Sequence, residues 1–248
     1  MPPVHDDAIV LQAFAYGDTS RILRLLTRRH GVVSVMAKGA RRPRSRYGGL
    51  LEPFTEGVVS LYIKDSRELQ TLAGFDLTRS GQRLGDDLVR FGGASLVAEI
   101  VLSTASAQPD PELYDRVVRA LRELGQRTGA DLEVALLAEL WGLVAHLGFA
   151  PELDRCQVCG RCVGPRDDTA FDYAAGGIRC AACPATELGR RLPANARLTL
   201  SALLRGERPT LDRTGAHWAL LSRFVAYHVV EGRTLRSLEF LASALQPV

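Results

Sequence analysis

Five cysteines lie in one short segment of the 248-residue sequence, between Cys156 and Cys183. Cys156 and Cys159 form one Cys-x-x-Cys pair, Cys180 and Cys183 form a second, and their spacing suits a site in which four thiolates bind one zinc ion. Cysteines that cross-link a secreted domain would be scattered through the sequence instead. Cys162 makes a further Cys-x-x-Cys pair with Cys159, so spacing alone does not choose four ligands among the five.

Such a zinc site is expected to be structural. Four thiolates fill the tetrahedral shell of zinc and leave no position for a reactive water. A zinc deaminase would need a His-x-Glu motif near Pro-Cys-x-x-Cys, but the sequence has no His-x-Glu, and Pro184 follows the last cysteine instead of preceding the pair. A reduced knuckle without metal and a redox pair of thiols are the alternatives.

A second feature is an unbroken run of positive charge. Between Thr19 and Leu51 the sequence has no Asp or Glu and nine basic residues, which are Arg21, Arg24, Arg28, Arg29, Lys38, Arg41, Arg42, Arg44 and Arg46. A field of one sign suits a phosphate backbone, whereas a solvated face normally mixes in carboxylates that limit repulsion. We therefore expect polyanion binding, with a solvated surface or a protein-binding surface as the alternatives.

The expected DNA contacts are seven of these cations and one aromatic residue, namely Arg21, Arg24, Lys38, Arg41, Arg42, Arg44, Arg46 and Tyr47. Tyr47 is the only aromatic residue of the basic segment, and its ring either stacks on a base or packs on the protein. With one ring available, affinity is expected to come mostly from phosphates and to depend weakly on base sequence.

The formal net charge is only +3, because residues 84–150 carry ten acidic and five basic side chains. The hydrophobic fraction of 46% is sufficient for a sizeable core, and a chain of this length commonly divides into two units. No apolar run of about 20 residues and no cationic, then apolar, signal pattern is evident. A cytoplasmic, nucleoid-associated protein with no membrane partner is expected.

Short strands with turn residues between them are predicted at Ala8–Tyr16, Arg21–Thr27, Val32–Lys38, Gly57–Lys64 and Leu69–Phe75. Helical periodicity follows at Asp87–Thr104, Pro111–Leu124 with Asp110 as N-cap, Asp131–Leu147, Leu198–Leu204, Trp218–Val230 and Leu235–Leu245. This pattern predicts an α+β fold, in which a five-stranded β-barrel of the oligonucleotide-binding (OB) type precedes an α-helical domain that carries the four-cysteine zinc module as an insertion. We place the DNA-binding domain at residues 1–80 and the helical domain at 81–248, with the module at about 153–186.

An enzyme is not expected. The sequence lacks the phosphate-binding loop Gly-x-x-x-x-Gly-Lys-Ser/Thr, the dinucleotide fingerprint Gly-x-Gly-x-x-Gly and the nucleophile elbow Gly-x-Ser-x-Gly. Its five histidines are scattered and form no His-x-x-x-His pair.

Several of these motifs occur together in one known family. The N-terminal ones are Gly17-Asp18-Thr19-Ser20-Arg21-Ile22-Leu23, Leu26-Thr27, Gly31, Ala37-Lys38-Gly39-Ala40-Arg41-Arg42 and Leu51-Glu52-Pro53-Phe54. With Cys-x-x-Cys-Gly at 156–160 and Gly-Gly-x-x-Cys-x-x-Cys at 176–183, the chain resembles bacterial RecO recombination-mediator proteins over nearly its whole length. The resemblance implies that the zinc ligands are Cys156, Cys159, Cys180 and Cys183. Cys162 departs from the family pattern and is an alternative ligand.

The resemblance also implies a function in DNA repair and recombination, in response to DNA damage and within the RecFOR pathway. It implies a protein that binds single- and double-stranded DNA and anneals complementary strands without ATP. It further implies action with RecR and RecF to load RecA onto DNA coated by single-strand binding protein. The implied direct partners are single- and double-stranded DNA, RecR and single-strand binding protein. RecA and RecF are implied as indirect partners.

Two other classes of protein are the alternatives, namely a structural zinc scaffold whose basic face binds a protein partner and a zinc-dependent nucleic-acid enzyme. The sequence leaves open the oligomeric state, the stoichiometry with RecR, the contact residues for single-strand binding protein and the preference for single or double strands.

Overall fold

The structure is a computed structural model that describes residues 2–64, 66–104, 108–184, 186, 189–211, 213–230, 232 and 234–245. It divides into two compact units. The first comprises Met1–Gln126 with Glu239–Val248, and the second comprises Arg127–Leu238.

A closed β-barrel of five strands forms the N-terminal part of the first unit, as the sequence predicts. The strands are β1 (Val4–Tyr16), β2 (Ser20–Thr27), β3 (Gly31–Ala37), β4 (Glu56–Tyr62) and β5 (Leu69–Arg79). Their order around the barrel is β1-β2-β3-β5-β4, and all neighbours are antiparallel except β3 and β5. β1 pairs with β4 from Val4 to Ile9 and with β2 from Ala8 to Tyr16, and its register against β2 shifts between Val10 and Gln12.

The barrel is held by side chains that alternate between its interior and its surface. On β2 and β3, Leu23, Leu25 and Val35 have no solvent exposure and point into the core. Burying each aliphatic side chain of this size contributes about 1.5–3 kcal/mol. The residues between them along the strand therefore face outward, which decides which side chains a ligand can reach.

Three helices follow the barrel in the first unit, α1 (Gln82–Gly85), α2 (Leu88–Thr104) and α3 (Pro111–Leu124). The predicted start of α3 is confirmed, because the Asp110 carboxylate accepts a hydrogen bond of 2.8 Å from the Leu113 N–H and Pro111 opens the helix. Within the unit, Arg122 of α3 binds the buried carboxylate of Glu56 on β4 through both its Nε and Nη2.

The second unit has a helical core. Its helices are α4 (Gly129–Val144), α5 (Ala194–Leu204) and α6 (Gly215–Phe224), and π-helical turns extend α4 to Phe149 and α6 to Val229. α7 (Arg236–Ala244) comes last in the chain, and from Glu239 onward it belongs to the first unit. The sequence predicted these helices but not the π-helical turns. Trp141 of α4 is fully buried, with its ring centroid 5.4 Å from that of Phe224.

One helical segment, Gly129–Phe149, is long and apolar enough to cross a membrane by length and composition alone. However, 67% of its most apolar window is buried within the protein. It therefore packs as the core helix of this unit.

A small three-stranded sheet accompanies the cysteine segment. It consists of β6 (Thr169–Asp172), β7 (Gly177–Cys180) and β8 (Gly189–Leu192) in the order β7-β6-β8, and all pairs are antiparallel. Sequence analysis missed these strands because each is only four residues long, too short to show a period. β7 ends on Cys180 and thereby fixes the position of the second cysteine pair.

Candidate metal centre and nucleic-acid interface

The structure brings four cysteine sulfurs together. The Sγ atoms of Cys156, Cys159, Cys180 and Cys183 all lie within 4.8 Å of one another. The Sγ–Sγ distances are 3.8 Å for the pairs Cys156–Cys183 and Cys159–Cys180, and 3.7 Å for Cys180–Cys183. Cys162 is exposed and is not a member of this cluster.

These distances test whether the four sulfurs fit a metal. In a regular tetrahedron with metal–sulfur bonds of about 2.3 Å, as for zinc thiolates, neighbouring sulfurs are about 3.8 Å apart. These three of the six separations match that edge, whereas a disulfide would require sulfurs about 2.0 Å apart. The cluster therefore has the size of a tetrahedral thiolate site.

The backbone around the cluster favours thiolates. Gly160 has a φ of 71°, which suits glycine, and its N–H donates to the Cys156 carbonyl (2.9 Å), so the chain reverses directly after the first pair. Desolvation opposes ionisation of Cys156, but N–H groups from Cys159, Cys180 and Val158 outweigh it and lower the pKa of the Cys156 thiol to about 6.

The last cysteine behaves in the opposite way. Desolvation, followed by hydrogen bonds shared with Cys159 and Cys180, raises the pKa of the Cys183 thiol to about 12. Beside the cluster, a hydrogen bond and charge interaction with Cys180 raise the pKa of the Arg161 guanidinium. Four sulfurs this close cannot all be thiolates unless a cation balances them.

The cysteine module is anchored within its unit by polar and aromatic contacts. Arg179 of β7 pairs with the buried carboxylate of Asp172, and desolvation of that carboxylate is outweighed by its hydrogen bonds, which lower its pKa. Phe171 lies 6.0 Å from Phe224, centroid to centroid, and His228 Nε2 lies 2.5 Å from the Tyr173 carbonyl oxygen. The module is thus packed on the helical core of its own unit.

The expected DNA contacts lie on β2 and in the loop that follows β3. Residues 38–46, the basic loop, begin the connection between β3 and β4. Ala40, Tyr47 and Leu51 of this connection are buried in the barrel core, and Arg41 N–H donates to the Thr19 carbonyl (2.8 Å). The connection is therefore fixed at several points, while its cations point to solvent.

The cations of the basic segment fall into two groups. In the first group, Arg28 is neutralised by Asp7 and Asp115, and Arg29 is neutralised by Asp6. Arg21 also belongs to this group, because it binds Glu52 at 2.8 Å. Among the described residues, the exposed cations of the basic loop make no ion pair with a carboxylate; these are Lys38, Arg41, Arg42, Arg44 and Arg46. Arg24 is half-buried on the outer face of β2. Counting along the sequence missed the partners because they lie outside the basic segment.

The expected stacking role of Tyr47 is corrected by the structure. Its side chain is only 4% exposed and belongs to the barrel core. The guanidinium of Arg46 lies 4.9 Å from the ring centroid, and Arg46 Nη2 donates to the Tyr47 hydroxyl (2.8 Å). The alternative, a tyrosine that packs its ring on the barrel, is the one observed, because Tyr47 fills the interior below the loop.

Sequence reasoning also missed two exposed aromatic residues next to this loop. Phe14 and Tyr16 at the end of β1 are 50% and 52% exposed. They precede the basic segment, so a search limited to that segment could not find them. The signal was present in the period-2 alternation of β1, which places Phe14 and Tyr16 on one face of the strand.

Comparisons with known proteins agree with this architecture, which combines an OB-like barrel with a helical domain and a four-cysteine cluster. A family model described as "Recombination protein O N terminal" matches residues 1–80, and one described as "Recombination protein O C terminal" matches residues 85–239. DNA repair protein RecO of Myxococcus xanthus is 33% identical over 243 residues, which cover 96% of each chain. DNA repair protein RecO of Nocardioides sp. is 31% identical and covers 95% of this chain and 98% of its own. The chain belongs to the RecO family of DNA repair proteins.

Proposed function

We propose that this chain is a recombination mediator that binds single- and double-stranded DNA through its barrel and anneals complementary strands. The basic loop carries the proposal, because its five exposed cations have no carboxylate partner among the described residues. Cations that lack a carboxylate partner can bind phosphates without first breaking an ion pair. In this proposal residues 1–80 are the DNA-binding domain, residues 81–248 the helical domain and residues 153–186 the metal module.

Annealing follows from charge neutralisation. Two complementary strands repel each other through their phosphates, and a surface that binds phosphates from both reduces that repulsion. Contacts limited to phosphates leave the base edges free to pair. The process requires no bond chemistry, which agrees with a mediator family that is not known to catalyse a reaction.

The partners are also part of the proposal. We infer that the protein acts with RecR and RecF to load RecA onto DNA coated by single-strand binding protein, in the cytoplasm at the nucleoid. Support comes from membership of a DNA repair family along both parts of the chain.

We further propose that Cys156, Cys159, Cys180 and Cys183 bind Zn²⁺, which would supply a cross-link within the module. The match between the sulfur separations and the edge of a zinc–thiolate tetrahedron supports this proposal. With four thiolates as ligands, the ion has no free position and serves folding.

Annealing of two labelled complementary strands tests the function directly. With the wild-type protein, we expect the fluorescence of a donor and acceptor pair to report faster pairing, while a denaturing gel shows strands of unchanged length. Shortened strands would indicate a nuclease instead. No acceleration, together with no DNA binding at low salt, would favour a scaffold whose basic face binds a protein.

A further inference from the structure

Three strands of the barrel present a continuous apolar patch to solvent beside the basic loop. Phe14 on β1 lies opposite Ile22 on β2, and Ile22 lies opposite Met36 on β3, so the three side chains form one outward row. Tyr16, opposite Ser20, extends this row by one step along β1. We call Phe14, Tyr16, Ile22 and Met36 the aromatic face.

The core does not require these two rings. The neighbours of Ile22 and Met36 along the chain, Leu23 and Val35, point inward, belong to the barrel core and have no solvent exposure. Phe14 and Tyr16, by contrast, leave about half of their surface in water, 50% and 52%. Single exposed apolar residues are common, but two adjacent rings flanked by Ile22 and Met36 form a contiguous patch of the kind that binds a ligand.

Positive charge borders the aromatic face. Arg24 lies on β2 opposite Gln12 and Ser34, in the outward row next to that of Phe14. On the other side, the Arg41 guanidinium donates to the carbonyl of Gly17, the residue directly after Tyr16, at 3.1 Å. The basic loop is thus held against the turn that follows the two rings.

The spacing of the rings selects the form of the nucleic acid. Residues two apart on a strand are separated by about 6.7 Å, which is about twice the 3.4 Å rise between bases of one strand in a duplex. Bases that lie on Phe14 and on Tyr16 must therefore be unstacked from each other, which an unpaired strand allows at little cost, whereas a duplex would have to be kinked or opened. An aromatic ring beside a basic groove is the usual platform for such bases.

We propose that Phe14 and Tyr16 stack on the bases of unpaired DNA while the basic loop contacts its phosphates, so that the barrel prefers single strands to duplex. The inference rests on the proposed DNA-binding function and adds its preferred substrate. It also changes the expected source of affinity, which becomes stacking together with charge.

Alanine substitutions at the two rings test the proposal. Stacking contributes about 1–3 kcal/mol per base, which corresponds to about 5- to 150-fold in affinity. The double variant Phe14→Ala with Tyr16→Ala should therefore bind a single-stranded oligonucleotide at least ~20-fold more weakly, with duplex affinity changed less than about twofold. The salt dependence should stay the same, because no phosphate contact is lost. The conservative variants Phe14→Tyr and Tyr16→Phe should keep the wild-type affinity.

Tyr227→Ala is the matched control, because Tyr227 is a similarly exposed tyrosine, 49%, that belongs to the second unit and not to the barrel. It should leave single-strand affinity unchanged. An abasic oligonucleotide gives a second measurement that needs no variant, and the wild-type protein should bind it as weakly as the double variant binds normal DNA.

Two results would overturn the inference while leaving DNA binding intact, namely equal losses for single strands and duplex, or wild-type affinity for the abasic strand. A wild-type protein that binds no DNA would instead refute the proposed function itself. Circular dichroism of each variant establishes that the barrel is folded in the comparison.

Discussion

Removing charge from the basic loop gives a quantitative test of where phosphates bind. Arg41, Arg42 and Arg44 are exposed, and within the described part of the chain none of them pairs with a carboxylate. Changing all three to Ala should remove up to three phosphate contacts without breaking an ion pair. The barrel should keep its stability, because none of the three side chains is buried.

The magnitude follows from the number of cations that lack a carboxylate partner among the described residues. Five cations in the basic loop, at about 0.7 in log–log slope for each single-strand contact, give a slope of about −3.5, and the triple variant should have about −1.4. Between 50 and 200 mM salt, wild-type affinity should then fall about 130-fold and variant affinity only about 7-fold. The paired cations Arg28 and Arg29 are left out because carboxylates already neutralise them.

Fluorescence anisotropy of a labelled single strand at several salt concentrations measures both slopes. A control variant with Arg67, Arg83 and Arg119 changed to Ala removes the same charge from other exposed positions and should keep the wild-type slope. An unaltered slope in the loop variant would refute phosphate contact, and weaker capture of RecR by that variant would then assign the loop to a protein partner. Equal flattening in both variants would show that total charge, and not its position, governs binding.

Other consequences concern metal content, the buried ion pair and the corrected tyrosine. Cys183→Ser should release the metal while Cys162→Ser retains it, and elemental analysis decides; a metal-free wild-type protein would refute the site. Glu56→Gln should lower the free energy of unfolding, measured by urea denaturation, by about 1–3 kcal/mol, because Arg122 loses the charged acceptor of its hydrogen bonds. The loss is limited because the Arg122 side chain is partly exposed to solvent. Tyr47→Ala should cost about 3–5 kcal/mol in the same assay, as for other large core truncations. Tyr47→Leu keeps an apolar side chain in the core but removes the ring, and it should leave the single-strand affinity of the folded protein unchanged; a loss of that affinity would restore a stacking role for Tyr47.

The barrel could be predicted from sequence because its signals are local. Alternation in β1–β3 and the turns between them give strands whose observed bounds differ by a few residues from those predicted. The four-residue strands β6–β8 could not be predicted, because their order depends on the cysteine cluster and on packing against Phe224. The π-helical turns after α4 and α6 likewise carry no sequence period of their own.

The residues of the candidate metal and DNA sites could also be predicted from the sequence in part. Spacing identified the two cysteine pairs but not the place of Cys162. The family resemblance implied four ligands that do not include Cys162, and the structure places it outside the cluster. Charge counting identified the basic loop, yet it could not show that Arg21 pairs with Glu52, a residue just outside the counted segment. Tyr47 was ambiguous because a loop position does not show which way a ring points; only its burial in the core decides.

The strand order of the barrel also sets an order of assembly during synthesis. The pairs β1–β2 and β2–β3 join neighbours in sequence, whereas closure pairs Val4 with Leu61 and Met36 with Thr71. Contacts between distant residues form more slowly than hairpins. During synthesis the sheet of β1, β2 and β3 therefore forms first, and the outer edges of β1 and β3 stay unpaired until β4 and β5 have been made. Such edges invite pairing with another nascent chain, and flanking charges are the usual protection. The arginines that follow β3 are placed at one of these edges, so we expect them to keep the unfinished barrel soluble before it ever meets DNA.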